Sequence, residues 1–354
     1  MKVPRLPLQP PYPVMDAETV PELPRGGDWQ YEPKWDGFRC LAFRGGETVE
    51  LQAKSGKSLT RFFPDVVELL RSVRASRFVI DSELVIPVDG RTSFEELQLR
   101  LHPAASRVRR LATAHPATMM AFDLLVDEAG RLLTARTLRE RRKALELFHS
   151  KFAGKTGRLR LSPATADRDR ALDWLRRAGP SLDGIVAKRL DADYRSGERT
   201  GMVKYKRIRS ADCVVGGFRY LQGKKLIGSL LLGLYGDDGL LHHVGFMSAI
   251  RDEDRRALTL KLEKLRRPPG FTGRAPGGPS RWSTEKTSEW EPLKPVLVVE
   301  VAYDQYTGGR FRHGTKLLRW RQDKAPRQCR FDQVEKGAGA ALLEIGAGPE
   351  AGRK

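Results

Sequence analysis

The sequence predicts an α+β protein of two domains, the second a small β-barrel. From Trp29 to about Tyr205, strand and helix patterns alternate. After Lys206 the texture changes to short strands joined by turn residues, with one helix among them. The chain has 354 residues, 40% hydrophobic and 31% charged. That is a globular balance, at a length that suggests domains of ~150 residues. The expected division is an extended lead-in over 1–28, a first domain over 29–206, a second over 207–336 and a disordered tail over 337–354.

The elements follow in order. Prolines punctuate the first 28 residues and disfavour regular structure there. Thr48 to Ala53 and Phe78 to Pro87 read as strands, the second nearly all apolar around Asp81 and Glu83. Asp65 to Arg74 sets Val66, Leu69, Leu70 and Val73 at helical spacing, behind a Pro64 that suits a helix start. Phe94 to Leu101, Leu138 to Phe148 and Arg168 to Ala178 are further amphipathic helices. Leu182 to Lys188 and Gly201 to Lys206 are short strands. In the second domain, strands are expected over Ala211–Tyr220, Leu226–Tyr235 and Leu240–Met247, with Asp238-Gly239 as a hairpin signal. A helix over Arg251–Leu265, a Gly/Pro-rich loop over Arg267–Ser280 and strands over Val296–Tyr303 and Lys316–Trp320 complete it. Five short strands and one helix outline an OB-type barrel, a common binder of nucleic acid.

Charge narrows the partner. The 64 Lys and Arg exceed the 44 Asp and Glu, a formal net charge of +20, which predicts a polyanion. No apolar run reaches the ~18 residues of a membrane span, and the N-terminus lacks the apolar region of a secretory signal. The three cysteines, Cys40, Cys213 and Cys329, are far apart and odd in number, so neither a disulfide framework nor a zinc site is expected and the cytoplasm is the expected home.

The most informative stretch is Glu32-Pro33-Lys34-Trp35-Asp36-Gly37-Phe38-Arg39. A single K-x-D-G is most often a charged surface hairpin. As a nucleophile, Lys34 in its tight turn needs help, because a free lysine, with a pKa of about 10.4, is almost wholly protonated at pH 7. Burial or neighbouring cations would supply that help. Downstream, Asp183-Gly-Ile-Val-Ala-Lys188 is an acidic-Gly pair, an apolar strand and a lysine. In Met202-Val-Lys-Tyr-Lys206, Lys204 and Lys206 share a strand face about 7 Å apart, which suits a phosphate; the plainer reading is an exposed edge strand.

The order of these blocks resembles the covalent nucleotidyltransferases, and within them the ATP-dependent DNA ligases. Glu32 to Arg39 matches E-x-K-x-D-G-x-R. Phe78 to Val85 resembles the block around D-G-E-L-V, with Ser82 in place of Gly. Met120 to Leu125 resembles the apolar F-D block, Asp183 to Lys188 resembles E-G-x-x-x-K with Asp183 for the usual Glu, and Met202 to Lys206 resembles K-x-K. Arg319 to Lys324 resembles the C-terminal R-x-D-K block. The wording of Leu182–Leu190 and Ala211–Phe218 is most similar to the short bacterial ligase C branch and next to the ligase module of bacterial ligase D.

The resemblance implies a nucleotidyltransferase catalytic domain with antiparallel sheets, followed by an OB-fold barrel. It implies ATP and Mg²⁺ or Mn²⁺ as cofactors, nicked double-stranded DNA as partner, and nick sealing through a lysyl-AMP and a DNA-adenylate, in DNA repair. On it, Lys34 carries AMP and Glu32 reads the adenine. Arg39 and Glu83 line the ribose and nick, Phe122 stacks on the base, and Asp183 with Glu83 holds the metal. Lys188, Lys204 and Lys206 face the phosphates, and Arg321, Asp323 and Lys324 orient the leaving pyrophosphate. Lys54 stands where the family often has Arg, and cannot reproduce a bidentate fork. Phe122 has a competing reading as plain core. Arg310, Arg312, Lys316, Arg319 and Arg327 are a candidate DNA-backbone surface. A monomer is expected, with bacterial Ku or other repair proteins as candidate partners.

Alternatives stay open at this point: an RNA ligase or a capping-type nucleotidyltransferase, and a non-catalytic OB-containing DNA-binding protein. An NAD-dependent ligase is not expected, because 33 residues precede Lys34 and no cysteine cluster occurs. Gly56-Lys57-Ser58 lacks the earlier glycine of a P-loop, since Leu51 stands there. His242 and His243 are adjacent on a strand and point to opposite faces. The Arg107–Arg110 run reads as a solvated face that can also touch backbone phosphates.

Overall fold

The structure, a computed structural model, describes residues 2–154, 157–178, 182–277 and 289–335. The expected tail over 337–354 lies outside them. The chain divides into two compact units at Lys206/Arg207.

The first unit holds two sheets. One has five strands in the order Thr48–Ala53, Phe38–Gly45, Arg77–Val85, Thr118–Val126 and Leu159–Leu161, antiparallel except for the last pair. The other has four: Glu18–Val20, Met202–Lys206, Gly184–Arg189 and Trp29–Lys34. Helix Pro64–Ser72 starts on its proline and buries Val66, Leu69 and Leu70. Helix Leu138–Phe152 starts from a capping box formed by Thr137 and Glu140 and buries Leu138, Leu145 and Phe148. A core of Phe63, Leu70, Phe78, Ile80, Leu84, Leu145 and Phe148 brings residues of both helices together with the five-stranded sheet. Helix Arg168–Ala178 brings Trp174 and Leu175 onto Tyr31, Ile185 and Ala187, the apolar face of the four-stranded sheet.

Two expectations need correction. Lys34 is the last residue of strand Trp29–Lys34, not a turn residue. The turn follows it, where Gly37 passes so close to the next strand that a Cβ would lie 2.2 Å from the Leu84 carbonyl oxygen. Nor is the proline-rich lead-in a separate segment. Val3, Leu6, Leu8, Val14, Met15 and Ala17 are buried with Leu41, Phe43, Val79 and Leu125, covering the second face of the five-stranded sheet. Glu18–Val20 then pairs in parallel with Met202–Lys206. Proline stops the lead-in from forming a helix but not from packing.

The second unit is built on a strand ladder in the order Leu241–Met247, Ile227–Tyr235, Arg209–Tyr220, Val298–Tyr303 and Lys316–Trp320, antiparallel throughout. Its core includes Val214, Phe218, Leu230, Leu232, Val244, Val299 and Phe271, with Leu262 from helix Asp252–Glu263. Among the described residues no helix is long and apolar enough to cross a membrane.

Candidate active site

Strand register assembles the site. Lys34 lies opposite Gly184, which lies opposite Lys206. Glu32 lies opposite Val186, opposite Lys204; Gln30 lies opposite Lys188, opposite Met202. Side chains two residues apart share a face. Glu32, Lys34, Lys188, Lys204 and Lys206 therefore project together, away from the apolar face that carries Tyr31, Ile185 and Ala187. The approach at Gly184 is close: a Cβ there would lie 2.1 Å from the Tyr205 carbonyl oxygen, so this position of the acidic-Gly pair has no room for a side chain.

The five-stranded sheet supplies the other wall. Arg39 pairs with Glu83 across neighbouring strands. On the next strand the register slips, Asp81 pairing with Asp123 and Ser82 with Ala121, so Phe122 is the extra residue of a β-bulge. A bulge re-aims a side chain, and Phe122 lines the cavity with Arg39 and Glu83. That cavity, about 420 Å³, is lined by Glu32, Lys34, Arg39, Lys54, Glu83, Phe122, Lys188, Lys204 and Lys206. Nine residues expected from sequence thus meet at one place, and the plain-core reading of Phe122 and the edge-strand reading of Lys204 and Lys206 fall away.

The polar contacts are specific. Lys34 Nζ donates to Asp183 Oδ2, and Lys206 Nζ stands 3.9 Å from the same oxygen. Asp183 replaces the longer Glu and still reaches the lysine directly, because its own N–H donates to the Lys34 carbonyl at 3.2 Å. Both oxygens of Glu32 are engaged, one by Gln30 at 2.7 Å and the other by Lys188 at 2.9 Å. Cations flank Phe122, with Lys188 Nζ 4.4 Å and Arg39 Cζ 4.8 Å from its ring centre. The Arg39 fork grips Asp81 with two bonds of 2.6 Å, and Tyr194 donates to Asp81 at 2.7 Å. Ser82 sits in extended strand and donates to the Cys40 carbonyl at 2.8 Å, so the missing glycine costs the backbone nothing.

Electrostatics correct the expectation for the nucleophile. Burial pushes the Lys34 pKa down, but Asp183, Glu83 and Asp36 outweigh it and the pKa is raised. Lys34 is held protonated here, because an acceptor in contact matters more than lysines further off. The Lys204 pKa is lowered, by burial first, with Lys54, Lys34 and Arg199 adding repulsion against the pull of Asp16. Burial pushes the Glu83 carboxyl up to about 7, against the pull of Arg39 and Lys34.

Arg321 and Lys324 belong to the second unit. There Arg321 donates to Asp212 at 2.9 and 3.1 Å and to Asp323 at 2.9 and 2.8 Å, and Lys324 donates to Asp212 at 2.7 Å. His242 bonds Asp238 while His243 is buried, the opposite-face arrangement expected of adjacent strand residues. Arg107, Arg109 and Arg110 lie on the exposed face of helix Ala105–Ala114. Sequence reasoning missed Asp16 and Thr19 of the cavity wall and the Asp81–Tyr194 brace behind Arg39. Asp81 stands inside a recognised block; Asp16 has no motif around it.

Comparisons with known proteins agree with this geometry. Residues 15–206 match the ATP dependent DNA ligase domain and residues 223–324 the ATP dependent DNA ligase C terminal region. The chain is 43% identical over 352 residues to DNA ligase C1 of Mycolicibacterium smegmatis, covering 96% of this chain and 98% of that one. It is 30% identical over 313 residues to the multifunctional non-homologous end joining protein LigD of Mycobacterium bovis, covering 85% of this chain and 37% of that one. A solved Lig E DNA ligase has the same fold, with a TM-score of 0.55 at 18% identity over 87% of this chain and 99% of that one. The chain belongs to the ATP-dependent DNA ligases.

Proposed function

We propose that this chain seals 5′-phosphate/3′-OH nicks in duplex DNA, with Lys34 as the residue that carries AMP. The observation that carries the reading is the position of Lys34. It ends a strand on the cavity wall, in contact with Asp183 and level with Lys206 in the strand register. In the first step the ammonium loses a proton, Nζ bonds to the α-phosphorus of ATP, and the bond to pyrophosphate breaks. A second proton leaves as the phosphoramidate forms. In the second step an oxygen of the 5′-phosphate bonds to the AMP phosphorus, the phosphoramidate nitrogen takes up a proton from solvent, and Lys34 leaves as the amine. In the third the 3′-OH attacks the 5′-phosphorus, loses its proton and displaces AMP. Lys204 and Lys206 offer positive charge where phosphoryl charge develops. Phe122 offers a ring face to the base, and Glu32 and Arg39 bind the nucleoside.

The acidic groups fit a divalent cation. Asp183 and Glu83 give hard oxygen donors, the set that Mg²⁺ or Mn²⁺ takes along with substrate oxygens. Asp183 and Glu83 would hold such a cation, which would offset the negative charge that raises the Lys34 pKa. Incubation with labelled ATP and Mg²⁺ should give a protein adduct that survives denaturation and alkali but is released by acid, as a phosphoramidate is, and Lys34→Ala should give none. An adduct on Lys34→Ala would assign the nucleophile elsewhere.

The second unit supports an OB-type barrel. Numbering its five main strands in chain order gives 3-2-1-4-5, and a parallel bridge between Met247 and Thr315 links the two edges. Arg321 and Lys324 are the residues we assign to pyrophosphate. Arg310, Arg312, Lys316, Arg319 and Arg327 of this unit are assigned to the DNA backbone. We place the protein in the cytoplasm as a monomer acting in repair. Similarity to a protein named for non-homologous end joining makes an end-binding Ku protein the partner to test by co-purification.

A further inference from the structure

One carboxylate in the cavity wall belongs to none of the motif blocks. Asp16 comes from the lead-in and faces three cations: Lys54 Nζ at 2.6 Å, Arg199 Nε at 3.7 Å and Lys204 Nζ at 3.9 Å. Its backbone is fixed on both sides. Asp16 N–H donates to the Glu198 carbonyl at 2.8 Å, and Lys204 Nζ donates to the Ala17 carbonyl at 2.8 Å. Strand Glu18–Val20 starts two residues later, with Thr19 opposite Lys204. The side chain is 19% exposed, whereas Lys54 and Arg199 are 56% and 72% exposed. Three cations around one carboxylate, at a cavity with phosphate chemistry, make an anion subsite that the chain fills with its own anion.

We propose that Asp16 is a specificity-determining residue: it occupies this subsite and must be displaced by an incoming phosphate. The inference rests on the nucleotide and nick reading of the cavity. Displacement favours a terminal phosphate, which carries between one and a half and two negative charges near neutral pH. A backbone diester carries one and gains less against a carboxylate that also carries one. Asp16 therefore biases the subsite towards phosphate ends and against intact backbone. The phosphate comes from the polyphosphate of the nucleotide or from the 5′ end at the nick; the chemistry is shared.

The test uses the full chain and Asp16→Asn. Inhibition of adduct formation by pyrophosphate probes the nucleotide source. Binding of nicked duplexes with a 5′-phosphate or a 5′-OH, and of intact duplex, probes the DNA source. Loss of a half-exposed pair should tighten the relevant interaction by roughly three- to fivefold. In the DNA arm the gain should be larger for 5′-OH and intact duplex, so that preference for the 5′-phosphate falls. Arg199→Gln, an exposed change, should move the same quantity the opposite way, and Asp16→Glu should restore wild-type values. Neither arm moving, or looser binding with an unchanged melting temperature, would overturn the proposal. If Asp16→Asn fails to fold, an Arg199→Gln that leaves both arms unchanged would overturn it as well. Wild-type protein that forms no adduct would instead sink the ligase reading, so the two failures are separable.

Discussion

At the scale of single residues, buried charge carries the largest energies in the first unit. Asp81 is fully buried, accepts from Arg39 Nε and Nη2 and accepts from Tyr194. Removing one partner of such a pair leaves the other charge buried, which costs ~3–5 kcal/mol. Asp81→Ala should therefore lower the melting temperature of the first unit by about 10 °C, given 2–4 °C per kcal/mol at this size. It should also weaken ATP binding, because Arg39 loses the fork that aims it at Phe122. A shift under 3 °C would show that solvent or a rearranged side chain satisfies Arg39. Ser82 gives a smaller test. Restoring the family's glycine removes the bond to the Cys40 carbonyl and loosens a strand interior, so Ser82→Gly should destabilise by about 1 kcal/mol in a denaturant melt. Departure from a family pattern at Ser82 is compensated locally, through one hydroxyl, and needs no change elsewhere.

At the scale of elements, the lead-in behaves as part of the first unit's core. Deleting residues 2–20 would expose Leu41, Phe43, Val79 and Leu125 and remove the strand paired with Met202–Lys206. That truncation should leave the first unit unfolded or aggregated by circular dichroism and size exclusion; a soluble, cooperative melt would contradict the packing. This element was the least legible one in the sequence. Its apolar residues follow no period of 2 or 3.6, and its partners lie up to about 190 positions away, so neither periodicity nor local turn chemistry could place it. Strands Thr48–Ala53 and Met202–Lys206 and helix Arg168–Ala178 were legible, because each carries its own period within a dozen residues. The site followed the same division. Lys204 and Lys206 could be placed on one face because alternation along their strand fixes it, whereas Lys34 and Lys188 joined them only through the resemblance to the family's motif order. The bulge at Phe122 and the carboxylate of Asp16 depend on register between distant strands. The raised Lys34 pKa was also out of reach, since it depends on a contact with Asp183 that spans 149 positions.

At the scale of the whole molecule, the two units carry different liabilities towards pH. The second unit buries His243 beneath Arg310, Arg219 and Arg274. Burial first, and then repulsion from those three guanidiniums, pushes its pKa down to about 3. The folded unit thus keeps the ring neutral, while the unfolded chain protonates it at about 6.5. Between those two values the unfolded state binds more protons, so stability rises with pH there and is lost as pH falls from 6.5 towards 3. Carboxylates add to acid lability mainly below pH 4.5, which leaves a window from about 6.5 to 4.5 where His243 dominates the second unit. His243→Leu, of similar volume, removes the titration and keeps the packing against Phe271. Chemical melts followed by Trp320 and Trp290 fluorescence should show wild-type stability of the second unit falling through this window, and the Leu variant nearly flat. Equal slopes in the two proteins would mean that water reaches the ring and the burial of His243 has no energetic consequence. The same arginines belong to a chain of net charge +20. Added nicked DNA should neutralise part of their field and reduce the wild-type slope, an effect that weakens as salt screens the phosphates.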